Sequence, residues 1–143
     1  MIDVRRGADR YEGGDPAAGI ATRHAFSFGS FYDPDNLRFG PVLACNEETL
    51  AAGAGFDEHP HSHTEIVTWV VEGELTHQDS TGERSTVRPG DVQRLSAGSA
   101  PGTWSATTAT GGCASCRCGS RRSPPAGSLV RGGARAARRH ALR

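Results

Sequence analysis

The chain has no lysine, a single methionine and no run of apolar residues long enough to cross a membrane. All 16 of its basic residues are arginines. The first residues, Met1 to Arg6, lead into polar, glycine-rich sequence, which is unlike a secretory signal. We therefore expect a soluble, cytoplasmic protein without a membrane partner.

Acidic residues are missing from the end of the chain. All 16 of them lie between Asp3 and Asp91, whereas eight of the 16 arginines follow residue 112. Residues 1–99 hold 8 basic and 16 acidic residues, a net charge of −8, and residues 100–143 carry +8. The overall net charge of zero is thus an average over two unlike pieces.

Large apolar side chains are also scarce after residue 99. From Ala100 onward there is no Phe or Tyr, and the only large aliphatic residues are Leu129, Val130 and Leu142. Such a segment buries too little apolar surface to offset the entropy of ordering it. We place a domain boundary after residue 99 and expect residues 100–143 to be disordered or loose coil. The arginines there lack interleaved aromatic residues, so we predict no specific nucleic-acid partner.

Cysteine is too sparse for a secreted disulfide framework, since Cys45 stands alone and the other three cluster late in the chain. That cluster, Cys113, Cys116 and Cys118, could hold zinc with His140 as a distant fourth ligand. The other interpretation is that this stretch is read out of frame, because cysteine codons arise where the offset frame has Val or Met codons.

Short strands and glycine-marked turns dominate what remains. The β-branched and aromatic stretch at residues 65–71 predicts a strand, and Glu72-Gly73-Glu74 predicts a turn. Further strands are predicted at residues 75–79, at residues 85–88 and from Val92, with Val92 and Leu95 facing a core. Since no convincing amphipathic helix is present, we predict an all-β sandwich or small barrel.

Residues 58–65 are the densest group of metal-binding side chains, with the sequence Glu-His-Pro-His-Ser-His-Thr-Glu. If Pro60 keeps the backbone extended, the strand period of two places His59, His61, His63 and Glu65 on one face. Imidazoles and a carboxylate gathered in this way can bind one metal ion. A mononuclear site normally takes further ligands from a second strand, and the sequence after this segment does not supply them.

Several motifs occur together in one order along residues 20–99. They are His24-Ala25-Phe26-Ser27-Phe28-Gly29, Tyr32-Asp33-Pro34, His59-Pro60-His61, Glu72-Gly73-Glu74, His77-Gln78-Asp79-Ser80, Arg88-Pro89-Gly90-Asp91 and Ser96-Ala97-Gly98. Together they resemble the amino-terminal cupin domain of the pirin family. The resemblance implies a double-stranded β-helix barrel, here a single, incomplete barrel followed by an irregular or disordered tail.

The resemblance also implies one divalent metal, with iron(II) favoured and nickel, manganese, cobalt, copper or zinc as alternatives. His59 and His61 match two pirin ligands, and the other two form a His-x-Glu pair shortly after the Ser-Ala-Gly element. This chain has no such pair there. Glu65 matches the carboxylate ligand of cupins in general, and we leave it open between a metal ligand and a partner that orients a histidine. We interpret His63 as solvent-facing or as supporting a ligand, and His77 as capping a loop.

A shift of reading frame near residue 100 explains the missing pair. When the codons for residues 102–105 are read two bases later, they permit His-x-Glu. The same offset over residues 112–120 permits an apolar strand of the kind that follows in the family. We therefore interpret residues 100–143 as out of frame.

By the same resemblance, the activity is that of a quercetin 2,3-dioxygenase, a metal-dependent enzyme acting on a flavonol-like aromatic substrate. His59 and His61 would then hold the metal, and Glu65 would replace the missing Glu as the catalytic proton acceptor. We expect the activity to be low, because half of the ligands are absent. Two alternatives stay open: a metal- and redox-sensitive module that binds a regulatory protein, and a truncated fragment without function.

Overall fold

The computed structural model of the chain describes residues 2, 4–79, 82–97, 103–121 and 135–137. Strands account for most of these residues, and two short 3-10 helices lie at Gly7–Asp9 and Pro16–Ala18. The strands are β1 Tyr11–Asp15, β2 Ile20–His24, β3 Val42–Leu50, β4 Gly55–His61, β5 Thr64–Glu72, β6 Leu75–Asp79, β7 Arg84–Val87, β8 Val92–Ala97, β9 Thr103–Ala109, β10 Cys113–Arg121 and β11 Arg135–Ala137. Within the described ranges, no helix is long and apolar enough to span a membrane.

The strands form two antiparallel sheets, which confirms the predicted all-β fold. The larger sheet has the order β1-β2-β3-β10-β5-β8-β11, and the smaller one has the order β4-β9-β6-β7. The strands predicted at residues 65–71, 75–79 and 85–88 appear as β5, β6 and β7 with bounds shifted by at most one residue.

The core is a cluster of small and aliphatic side chains, centred on Leu50, Val70, Leu75 and Val87. Each of these is almost fully buried, and burial of such a side chain stabilises the fold by roughly 1.5 to 3 kcal/mol.

The alternation of buried and exposed residues along β8 corrects one prediction. Leu95 is buried, but Val92 is 40% exposed. Two residues three apart in a strand point to opposite faces, so Val92 and Leu95 cannot both face the core. The residues of β8 that do share the buried face with Leu95 are Gln93 and Ala97.

The segment after residue 102 differs from our expectation of disorder. Residues 103–109 form β9, which pairs with β4 and β6, and residues 113–121 form β10, which pairs with β3 and β5. A strand held between two others satisfies its backbone hydrogen bonds on both sides, a stabilisation that a count of apolar residues omits. The domain boundary after residue 99 and the shift of reading frame stay predictions.

Candidate functional site

His59 and His61 lie side by side near the end of β4. Their ring centroids are 4.5 Å apart, with an angle of 71° between the planes. The Nδ1 atom of His59 lies 2.6 Å from the carbonyl oxygen of Asp57. A carbonyl only accepts, so Nδ1 of His59 donates this bond and the lone pair of a neutral ring resides on Nε2. This is the arrangement by which proteins orient a metal-binding imidazole.

His61 is half-buried, and its environment keeps the ring neutral. Burial, then the nearby His59, Arg117 and His77, lower the pKa of His61 to about 4. At neutral pH the ring is therefore in its uncharged form, which is the form that coordinates metals.

The pocket beside His61 was not anticipated from the sequence. It is lined by His61, Ile66, Thr68, His77, Gln93, Leu95 and Arg117. We interpreted His77 as a loop cap, but it lies in β6 on the buried face that it shares with Leu75. A signal was present, because the two-residue spacing of Leu75 and His77 is the strand period. Arg117 could not be identified, since its strand was predicted to be coil.

The structure corrects the expectation that His63 and Glu65 continue the face of His59 and His61. β4 ends at His61, and His63 has a φ of +52°, which breaks the extended chain. Glu65 then lies on β5, in the other sheet. The described part of the chain holds no group of three or more His, Cys, Asp or Glu side chains arranged to bind a metal.

Glu65 is held by two donors from β8. Its Oε2 accepts hydrogen bonds from Nε of Arg94 at 2.9 Å and from Oγ of Ser96 at 2.6 Å. These contacts fix the carboxylate oxygen next to β8. The role of Glu65 as a metal ligand or proton acceptor stays a prediction.

The backbone of β9 runs opposite the histidine pair. Thr103 is the register partner of His61, and Ser105 is the register partner of His59. The His-x-Glu pair inferred from the shifted codons falls on residues 102–105, the same part of β9. His59 and His61 can therefore supply two ligands to a metal ion. β9, the strand that would carry the other two ligands, is present but has Thr103 and Ser105 at these positions.

A comparison with protein families identifies the chain. The family model for pirin matches residues 6–104. This chain belongs to the pirin family. The predicted cupin fold is also confirmed, because the bacterial pirin YhhW from Escherichia coli, solved in complex with nickel(II), superposes with a TM-score of 0.84. The two are 28% identical in sequence, and the match covers 96% of this chain and 58% of YhhW.

Curated relatives match the same part of this pirin chain. A pirin-like protein of Caulobacter vibrioides is 43% identical over 99 residues, which is 69% of this chain and 42% of that protein. A quercetin 2,3-dioxygenase of Escherichia coli K12 is 44% identical over 75 residues, which is 52% of this chain and 32% of that protein. The chain thus spans less than half the length of these relatives.

The cysteine positions in this pirin domain argue against one shared zinc ion. Cys113 is buried in the core cluster. Cys116 and Cys118 lie three and five residues after Cys113 on β10, in a part of the strand whose register with β3 is regular. Because both separations are odd, these two cysteines face the other side of the sheet. His140 lies outside the described residues.

Two ionisable residues face the interior of this pirin barrel: Glu48 on β3, which is buried, and Arg117 on β10, which is partly buried. Burial raises the pKa of Glu48, and its hydrogen bond with Thr22 and the charge of Arg117 offset only part of that effect. The Oγ1 atom of Thr22 donates to Oε2 of Glu48 at 2.5 Å. Burial also lowers the pKa of Arg117, whose guanidinium lies over the ring of Phe56.

Glu48 predicts a pH dependence of stability. Because its pKa is higher in the folded than in the unfolded state, folding favours the protonated form, and stability is lost as the pH rises through the folded pKa. We expect Glu48→Gln to gain stability relative to the parent chain between mildly acidic and neutral pH. Urea unfolding of both chains across that range measures the difference. A difference that does not change with pH would contradict this assignment.

Proposed function

We propose that this chain is a metal-binding cupin that holds one divalent metal through His59 and His61. The observation that carries the proposal is the pair itself, with Nδ1 of His59 anchored on Asp57 and its Nε2 left for a ligand. The neutral state of His61 supports it. The nickel(II) complex of YhhW supports it as well. We propose iron(II) as the metal that this chain prefers.

The reaction we propose is that of the Escherichia coli relative, a quercetin 2,3-dioxygenase. A redox-active metal, when bound, would act as a Lewis acid toward the oxygen atoms of a chelating, flavonol-like substrate. Polar groups of His77, Gln93 and Arg117 line the small cavity beside His61 and can hydrogen-bond to a polar group next to the metal. We also propose Glu65 as the proton acceptor; Arg94 and Ser96 hold its carboxylate in place.

We propose that activity is low in this chain. Two imidazoles leave the rest of the coordination sphere to water, and fewer protein ligands mean weaker binding. The metal, and a substrate bound next to it, would then be held loosely. Because much of the rate enhancement comes from holding the reactants in the correct geometry, we expect slow turnover.

A titration of the untagged chain with nickel(II) tests the metal site. We expect His59→Ala and His61→Ala each to weaken binding at least about tenfold, because removal of even a supporting partner costs about 10- to 100-fold in affinity. Calorimetry with nickel(II), and with iron(II) under nitrogen, measures the affinity.

The matched control is His63→Ala. His63 is exposed in the turn after β4 and should not change the affinity. The proposal is contradicted if His63→Ala weakens binding as much as His59→Ala, or if neither substitution in β4 has an effect.

A further inference from the structure

Cys45 and Cys118 face each other across two neighbouring strands. They are register partners in the antiparallel pair formed by β3 and β10. Their sulfur atoms are 3.4 Å apart, with the thiol of Cys118 donating to the sulfur of Cys45. All four cysteines are free thiols.

The backbone geometry suits a disulfide between them. Directly opposed residues of an antiparallel pair have Cα atoms about 4.5 to 5.5 Å apart, and disulfides span about 4.4 to 6.8 Å between Cα atoms. The sulfur atoms need to approach only from 3.4 Å to the bonding distance of about 2.05 Å, which small side-chain rotations achieve.

The pair lies on a face of the sheet that solvent reaches. Cys116 and Cys118 pair on their other side with Trp69 and Val67 of β5, both of which are substantially exposed. Cys45 and Cys118 are themselves only half-buried. A small oxidant can therefore reach the sulfur atoms without unfolding of the sheet.

We propose that Cys45 and Cys118 form a reversible oxidation site, which a peroxide converts to a disulfide that ties β10 to β3. One sulfur attacks a peroxide oxygen, the O–O bond breaks, and a sulfenic acid and water result. The other sulfur then attacks the sulfenic sulfur, the S–O bond breaks, and a second water leaves as the S–S bond forms. Each cysteine loses one electron, and the peroxide takes up two.

The environment makes this oxidation slow in the absence of excess oxidant. Burial, then the hydrogen bond and charge of Cys45, raise the pKa of Cys118 to about 11. Cys118 is therefore a thiol at neutral pH and not a reactive thiolate. The disulfide would close a loop between residues 73 apart in the sequence, and loops of that length give large stabilisation when closed.

Peptide mapping after peroxide treatment of the full chain tests the proposal. Trypsin cuts only after arginine in this lysine-free sequence, so Cys45 falls in residues 39–84 and Cys118 in residues 118–121, while Cys116 falls in residues 95–117. We expect the first two peptides to be joined in the oxidised, alkylated sample and separated after reduction. Four alkylated thiols, or a link that involves residues 95–117 instead, would overturn the proposal.

Two serine variants and a melting curve complete the experiment. Cys118→Ser should abolish the joined peptide, whereas Cys116→Ser, the matched control two residues away on the same face, should retain it. The oxidised chain should melt about 10 °C higher than the reduced chain, and a reductant should reverse the difference. An unchanged melting temperature despite full formation of the link would overturn the claim that the disulfide ties β10 to β3.

Discussion

The double substitution Thr103→His with Ser105→Glu is expected to raise the affinity for nickel(II) or iron(II) at least about 100-fold, since even supporting partners of metal ligands are worth about 10- to 100-fold. The two positions are the register partners of His61 and His59, and directly opposed residues of an antiparallel pair present their side chains on the same face. The variant would therefore present three imidazoles and one carboxylate to a single ion. Calorimetric titration measures the gain.

The control for this variant moves the same two side chains along β9. Ala106→His with Thr108→Glu shifts them by three positions, which reverses the face on which a strand presents its residues. We expect no gain in affinity from the control. An equal gain from both variants, or none from either in chains that fold, would contradict the inferred place of the missing ligands.

Flavonol turnover should follow the metal in the same variants. The parent chain is expected to show little oxygen uptake with quercetin, and Thr103→His with Ser105→Glu should increase it if the whole site is sufficient for the reaction. Turnover by the parent chain at the rate of an intact homologue would contradict the view that the second ligand pair is needed.

The second large effect is expected at Gly73, in the turn between β5 and β6. Its φ is +79°, and a Cβ there would collide with the carbonyl oxygen of Gly112 and lie 2.8 Å from Cα of Cys113. We expect Gly73→Ala to cost about 3 kcal/mol or more of unfolding free energy, as the sum of left-handed strain and overpacking. Urea denaturation measures the loss.

Gly53→Ala separates the two contributions. Gly53 has nearly the same φ, +77°, but nothing lies within 4 Å of its Cβ position. Its substitution should cost only the strain, about 1 to 2 kcal/mol. Because the collision at Gly73 depends on the start of β10, equal losses at both glycines would show that β10 does not pack against this turn.

The sequence was sufficient for the parts of the fold that depend on local patterns. Residues 65–71 are β-branched and aromatic, and Gly73 is compatible with the left-handed turn that follows, so β5, the turn and β6 could all be predicted. The ordered pirin motifs then predicted the cupin barrel and indicated His59 and His61 as a pair.

The parts that failed depend on neighbours distant in the sequence. β10 has few apolar residues, and it is a strand because β3 and β5 flank it on both sides. Arg117 and the pair formed by Cys45 and Cys118 follow from that position and could not be predicted without it. The common face of His59, His61, His63 and Glu65 was wrong because an ideal strand period cannot reveal where a chain leaves one sheet for the other.

Anomalous scattering at the nickel absorption edge, from crystals of the untagged chain grown with nickel(II), tests the metal site most directly. We expect one strong peak within bonding distance of a ring nitrogen of both His59 and His61. No peak there under saturating metal, or the strongest peak at His63 or at the cysteines of β10, would contradict it.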